Sequence, residues 1–318
     1  MTNLVPIGSA LNGSIDGASE ALQNGAMLSG ISTGFYDLDN RTGGLNPGDL
    51  IVVAGRPSMG KSALAINIAY QVAKTSRAKG GSAVALFSLE MSPKQIADRI
   101  LSDQSEISLD RLRCGHISEE EFVRIVSCST EIASLPIYVS SDAGLTIQNI
   151  AEQARELHSE KSLALIVVDY LQLVEVASRE GEHRFLEIAE ITAGLKKLAR
   201  QLQVPIVVVS QIARSAEARP EKKPELTDLL GSASIEHDAD VVLFVHREEY
   251  YVERQKPREG TPEFSDWQTQ IMAVSGKAEV IVGKQRHGPV GTVQLAFESQ
   301  YTRFGNLAKE FQLPERYE

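Results

Sequence analysis

Gly55-Arg56-Pro57-Ser58-Met59-Gly60-Lys61-Ser62 follows the pattern G-x-x-x-x-G-K-[ST], an order of residue types suited to holding a nucleotide's phosphates. Glycines let backbone N–H groups turn inward on the β- and γ-phosphates, and a helix opening straight after the loop adds the positive end of its dipole. Lys61 supplies a point charge, and Ser62 a hydroxyl ligand for magnesium. The flanks give the pattern its mechanical context: the apolar run Leu50 to Ala54 precedes it, and an amphipathic stretch with Leu64, Ile66, Ile68, Ala69 and Val72 follows. The chemistry expected is binding of ATP with Mg2+ and its hydrolysis.

Three other positions could take part. Asp169 closes the apolar run Leu163 to Val168, where a buried strand has no reason to carry a carboxylate. By itself an Asp after a strand is more often a loop cap, but paired with the phosphate loop it reads as the acceptor that holds magnesium through its water shell. Glu90 ends the run Ala83 to Leu89, a strand expected to neighbour the phosphate loop, and a carboxylate there can polarise the attacking water as general base. The alternative is a solvated strand-end residue or part of the next helix cap. Gln211, just past Pro205 to Ser210, could sense the γ-phosphate or simply bond a loop.

The elements that must position these residues are legible as alternating apolar runs and helical patterns, the signature of a mostly parallel sheet with crossover helices. Strands are expected at Leu50 to Ala54, Ala83 to Leu89, Pro136 to Val139, Leu163 to Val168, Pro205 to Ser210 and Val241 to Val245. A closing hairpin is expected from Ala278 to Gln285 and Thr292 to Phe297. Ser92-Pro93 with Gln95, and Ser118 with Glu121, are capping boxes that start helices. Residues 212 to 230 and 252 to 277 are polar and dotted with Pro and Gly, which reads as two long functional or mobile loops. The fold expected is α/β, a RecA-like P-loop NTPase with its sheet flanked by helices.

Composition agrees. The 318 residues are 42% hydrophobic and only 6% aromatic, which suits a helix-covered parallel sheet. The net charge of −10 rules out a surface that is basic all round, so nucleic acid could be held only by a local patch or channel. Cys114 and Cys128 are too isolated for a metal knuckle or a disulfide framework and read as reduced thiols. No stretch reaches the ~18 apolar residues of a membrane span and no signal peptide opens the chain, so a cytoplasmic protein is expected. Three parts are expected: a linker or docking segment over residues 1–30, the ATPase domain over 31–305, and a tail over 306–318. The first carries a weak apolar stripe of Ile15, Ala18, Leu22 and Ala26.

The phosphate loop, Phe87-Ser88-Leu89-Glu90-Met91-Ser92, Val168-Asp169-Tyr170-Leu171-Gln172-Leu173, Val209-Ser210-Gln211 and Gly283-Lys284-Gln285-Arg286-His287-Gly288-Pro289 together resemble the ATPase domain of the bacterial replicative helicase family, DnaB. Ser29 to Asn40 resembles that domain's entry, so the likeness covers nearly all of residues 28 to 305. The resemblance implies a 5'–3' DNA helicase, a hexameric ring with ATP between subunits and single-stranded DNA in the channel. Lys61, Ser62, Glu90, Asp169 and Gln211 would come from one protomer, and Lys284 and Arg286 would reach the γ-phosphate of the neighbour's nucleotide. Read without the resemblance, those two are ordinary exposed cations on a hairpin. Residues 10 to 28 would be the end of a linker helix docking on an adjacent ring member. A helicase loader is an implied partner. The family's N-terminal collar domain is missing from the sequence, which makes primase recruitment doubtful.

The resemblance departs at the loop facing the channel. Family members typically read Asp-Leu-Arg-Glu-Ser-Gly-Ser-Ile-Glu there; this chain reads Asp228-Leu229-Leu230-Gly231-Ser232-Ala233-Ser234-Ile235-Glu236. Leu230 stands for the arginine, Gly231 for the glutamate and Ala233 for the glycine. Backbone amides around Gly231, Ser232 and Ala233 could still approach phosphates, but a charge-assisted contact is lost. Arg214, Lys222 and Lys223 could compensate, or could be solvated surface charges. Two alternatives to the helicase therefore stand: a RecA-like ATPase that assembles without unwinding, and a modulator that co-assembles with a full-length helicase.

Overall fold

In a computed structural model of the chain, residues 28–307 are described apart from 79, 143, 177–183 and 220, together with Ile7, Gly8, Leu11 and Ile15. Most of the expected docking segment and nearly all of the expected tail lie outside the described residues, including Ala18, Leu22 and Ala26 of the apolar stripe.

Nine strands form one sheet in the order β3-β2-β4-β5-β1-β6-β7-β8-β9. They are β1 (Leu50–Gly55), β2 (Ala83–Ser88), β3 (Ile137–Ser140), β4 (Leu163–Asp169), β5 (Ile206–Gln211), β6 (Val241–His246), β7 (Lys277–Gln285), β8 (Gly291–Glu298) and β9 (Arg303–Asn306). The first six pair in parallel, and β7, β8 and β9 extend the sheet antiparallel. The central strands are continuous apolar runs because helices cover both faces. In β1, Ile51 and Val53 face the cluster that includes Leu64 and Ile68 of α2 (Lys61–Ala78). Leu50, Val52 and Ala54 face the opposite cluster, with Leu195 and Leu198 of α7 (Arg184–Leu202).

The remaining helices are α1 (Tyr36–Thr42), α3 (Pro93–Ser105), α4 (Leu109–Cys114), α5 (Glu119–Ala133), α6 (Ile147–Lys161), α8 (Ser232–Asp238), α9 (Glu248–Glu253) and α10 (Pro262–Val274). Both expected capping boxes form, Ser92 with Gln95 and Ser118 with Glu121. Among the described residues no helix is long and apolar enough to cross a membrane.

Three expectations are corrected. Residues 252 to 277 are not one long loop, since they hold α10, thirteen residues with Thr261 at its N-cap and Pro262 in its first turn. A ninth strand, β9, lies beyond the expected hairpin and pairs with β8. The strand β2 does not neighbour β1, because β4 and β5 stand between them.

Candidate active site

A cleft of about 460 Å³ opens at the carboxyl ends of the parallel strands, where open α/β sheets place their ligands. Gly55 ends β1, the loop turns through Arg56–Gly60, and Lys61 begins α2. Gly60 has φ +97° and a Cβ there would sit 3.0 Å from the Phe304 ring, so both conformation and space demand glycine. A Cβ on Gly55 would meet the Val245 carbonyl oxygen at 2.8 Å. Both glycines are thus fixed by close packing within the chain, Gly55 against β6 and Gly60 against the Phe304 ring.

Lys61, Ser62, Glu90, Asp169 and Gln211 all line this cleft, together with Pro57, Ser58 and Gly60. Of the other two loop residues, Met59 is 1% exposed and packs in the core, and Arg56 turns away from the cleft, its Nε donating to Glu217 at 3.0 Å and its Nη1 to Ile212 O at 3.3 Å. Lys61 Nζ donates to Arg56 O at 2.9 Å. Burial pushes the Lys61 ammonium down to about 8, with Asp169 and Glu90 drawing it back up. Ser62 Oγ donates to Asp169 Oδ1 at 3.2 Å. Burial pushes the Asp169 carboxyl up and the bond from Ser62 pulls it back, while Glu90 raises it further. Glu90 reaches the cleft despite the strand order because the end of β2 is tied to that of β4, Leu89 N donating to Asp169 O at 2.8 Å. The peptide between Asp169 and Tyr170 is cis. Gln211 is held from behind by Gln172, whose Oε1 accepts from Gln211 N at 3.2 Å.

Sequence reasoning missed two arginines in the same cleft, Arg99 and Arg247. Arg99 Nε is buried without a hydrogen-bond partner among the described residues, a costly arrangement that an anion would relieve. Burial works against its charge, with Asp169 and Glu90 favouring it. Arg247 lies 4.0 Å above the Phe297 ring and donates to Glu249 Oε2 at 2.9 Å. Arg99 looked like one more charge on a helix, but Arg247 had a signal: a charged residue straight after a buried strand, as at Asp169.

Lys284 and Arg286 are not in the cleft. Gln285 pairs with Val241 and Val241 with Ile51, so Arg286 lies level with the start of β1, roughly 16 Å from Gly55 at about 3.3 Å per residue. It helps line a cavity of about 230 Å³ at the opposite end of the strands, with Asp240, Asp49 and Arg41.

The expected channel loop leads into α8. Gly231 is its N-cap at φ +92°, and a Cβ there would meet Ile188 Cγ2 at 2.8 Å. Leu230 is 39% exposed, and Ala233 and Arg214 are exposed. Lys222 lies 4.6 Å from the Tyr251 ring and Lys223 pairs with Glu279 at 2.7 Å. Both are engaged within the chain, whereas Arg214 has no ion pair among the described residues.

A phosphate loop at the end of β1, a buried acid at the end of β4 and a helix-covered, mostly parallel sheet define a RecA-like P-loop NTPase domain. Residues 30–306 match the family model of the DnaB-like helicase C-terminal domain, and the chain belongs to that family. It is 40% identical over 309 residues to the replicative DNA helicase DnaB of Rickettsia typhi, covering 95% of this chain and 62% of that protein. It is 39% identical over 284 residues to the replicative DNA helicase DnaC of Bacillus subtilis, 89% of this chain and 58% of the relative. The chain thus spans less than two thirds of these relatives' length. Among solved structures, one of an ATPase domain superposes with a TM-score of 0.84 at 30% identity, covering 96% of this chain and all of that one. A DnaB-like replicative helicase studied with primase gives 0.80 at 30% identity, with 96% and 68% covered.

Proposed function

We propose that the chain is an ATP-driven 5'–3' DNA helicase of the ring type that hydrolyses ATP between subunits and moves along single-stranded DNA. The observation that carries this is a divided site. Acids, hydroxyl and ammonium suited to a nucleotide's phosphates converge at the carboxyl ends of the parallel strands, while Arg286 and Lys284 are held at the opposite end, by Asp240 and by Ala239 O, out of reach unless a second copy presents them.

The cleft fits ATP with Mg2+. The tight turn closed by Gly60, the start of α2 and Lys61 suit the β- and γ-phosphates, and Arg99, whose Nε has no hydrogen-bond partner among the described residues, suits an anion. No cluster of three or more His, Cys, Asp or Glu among the described residues could hold a metal unaided. That suits magnesium, which is commonly held by one or two protein oxygens together with substrate phosphates and water; here those oxygens would be Ser62 Oγ and Asp169. The ion would neutralise charge between the β- and γ-phosphates. Glu90 would take a proton from the attacking water, Gln211 would orient at the γ-phosphate, and Lys284 and Arg286 would act on the neighbour's phosphates.

Six copies around one strand reconcile a net charge of −10 with DNA binding, since only the channel need be positive. Gly231, Ser232, Ala233 and Arg214 are the proposed channel contacts. Residues 1–30 would dock on a neighbouring copy. Ile7, Leu11 and Ile15, exposed at helical spacing, support that role. A helicase loader is a further proposed partner, and the cytoplasm the proposed location.

A second reading, an assembling ATPase that does not unwind, is favoured by the absence of charge at Leu230 and Gly231. ATPase rate with and without single-stranded DNA at low salt, taken with solution mass and unwinding of a forked duplex, separates the two. DNA-stimulated turnover by an oligomer that unwinds is expected; oligomeric turnover indifferent to DNA would favour the second reading, and no turnover at all would sink both.

A further inference from the structure

The two cations at the far end of the strands are held in place. Arg286 N donates to Asp240 O at 2.9 Å and Arg286 Nη1 to Asp240 Oδ1 at 3.1 Å, with Nη2 3.4 Å from His237 O. Lys284 Nζ donates to Ala239 O at 2.7 Å and also to Glu236 O, carbonyls at the end of α8, where the helix dipole is negative.

Asp240 is the centre of this arrangement. Only 3% exposed, it also accepts from Leu50 N at 2.8 Å through Oδ2 and pairs with the Lys196 ammonium. Asp49 stands nearby, 4.0 Å from Lys196, so two acids face two cations. A buried carboxylate is tolerated only when paired and hydrogen-bonded. An uncharged acceptor would satisfy the Leu50 amide, and Lys196 has Gly48 O at 2.8 Å and Asp49 besides. The partner left with no other carboxylate among the described residues is Arg286, which is half exposed at the cavity mouth.

We propose that Asp240 is a positioning residue for Arg286, fixing its guanidinium at that end of the sheet so that it meets the adjoining copy's phosphates already oriented. The inference rests on the trans role proposed above. An arginine loses considerable rotamer freedom on binding, and a charge oriented beforehand stabilises a transition state without reorganising at the moment of reaction.

The test mixes variant subunits before assembly and measures ATP turnover. Asp240→Asn keeps the acceptor for Leu50 N and the size of the side chain. Alone it should lower kcat by about 10²-fold, the scale of a 1 Å misplacement, with KM for ATP unchanged. Mixed with Lys61→Met it should regain turnover, because one interface of each mixed pair joins an intact cleft to an intact Arg286. Mixed with Arg286→Ala it should not, since both variants are defective on the same side. The reverse pattern, rescue by Arg286→Ala and none by Lys61→Met, would place the Asp240 defect in its own cleft and overturn the proposal, as would an unchanged kcat. The pair Lys61→Met with Arg286→Ala is the control: failure there removes the trans role itself, whereas success there with the wrong Asp240 pattern removes only this inference. Should Asp240→Asn not fold, Asp240→Thr, smaller and still able to accept from Leu50 N, carries the same test.

Discussion

Lys61→Met should stabilise the protein while abolishing nucleotide binding. The Lys61 ammonium is pushed by burial from its ordinary 10.5 to about 8, about 2.5 pH units, which at about 1.36 kcal/mol each makes the charge cost roughly 3 kcal/mol in the fold. Methionine keeps the unbranched shape and removes the charge. It also removes the bond to Arg56 O at 2.9 Å, worth about 1 kcal/mol, so the net gain at pH 7 should be about 1–2 kcal/mol. For a domain of this size that raises Tm by roughly 2–3 °C. The sign with pH is fixed by linkage. A lysine whose folded value lies below its unfolded one leaves the unfolded chain holding more protons between pH 8 and 10.5, so wild-type stability recovers across that window as pH rises. The advantage of Lys61→Met should therefore be full below pH 8, mostly gone at pH 9.5, absent near pH 10 and replaced above it by a small loss, because the missing bond to Arg56 O does not depend on the charge. Differential scanning fluorimetry in EDTA, without nucleotide, at pH 7 and 9.5 reads both effects. A lower Tm for Lys61→Met at pH 7, or a difference that does not move with pH, would refute the reasoning.

Two other changes have clear directions. Leu230→Arg places a cation at a side chain already 39% exposed, so the fold should tolerate it. Single-stranded DNA should bind more tightly at low salt, with a log–log salt slope steeper by about 0.7 for each phosphate newly met; fluorescence anisotropy across a salt series measures this, and an unchanged slope would remove the loop from the channel. Asp103→Asn concerns a buried acid whose carboxyl is pushed up to about 6 by burial, with Arg303 opposing. Because this folded value lies above the ordinary 3.8, the charged form costs stability that is absent below pH 3.8 and grows up to pH 6. Asp103→Asn should therefore raise Tm at pH 7 and not at pH 3.5, and a loss of Tm at pH 7 would show that the Arg303 contact outweighs burial.

What the sequence made legible followed from burial. Strands β1, β4, β5 and β6 are covered on both faces, so each is an unbroken apolar run, and a charged residue at its end, as at Asp169, stands out. The strand β9 escaped because Arg303–Asn306 is a four-residue edge with only Phe304 buried, and its pairing with β8 is a tertiary fact. Helix α10 escaped because none of its residues is buried, which leaves no periodic stripe, although Thr261-Pro262 was a usable start signal. Glu90 was assigned to the cleft through a strand adjacency that does not exist; it lines the cleft because the loops after β2 and β4 are hydrogen-bonded together. Arg99 carried no local signal at all, since only the packing of α3 aims it inward.

The same burial bears on how such a site could work. Leu50 N, at the start of β1, is held by Asp240, and Gly55, at its end, opens the phosphate loop. Between them lies a strand paired on both sides to β5 and β6 and packed on both faces. Close-packed interiors do not deform by small continuous amounts, so the two half-sites of one protomer should move as a single body. On the trans role proposed above, the geometry that brings Arg286 to a phosphate would then be set by how one copy is placed against the next. A second path leaves the cleft within the chain, through Arg56 to Glu217 and Ile212, and from Ile212 to its bridge partner Leu229 beside Leu230. Ile212 is 2% exposed and Leu229 3%, so a shift of the loop would be carried toward Leu230 through packed side chains, the kind of contiguous network by which two sites can be coupled.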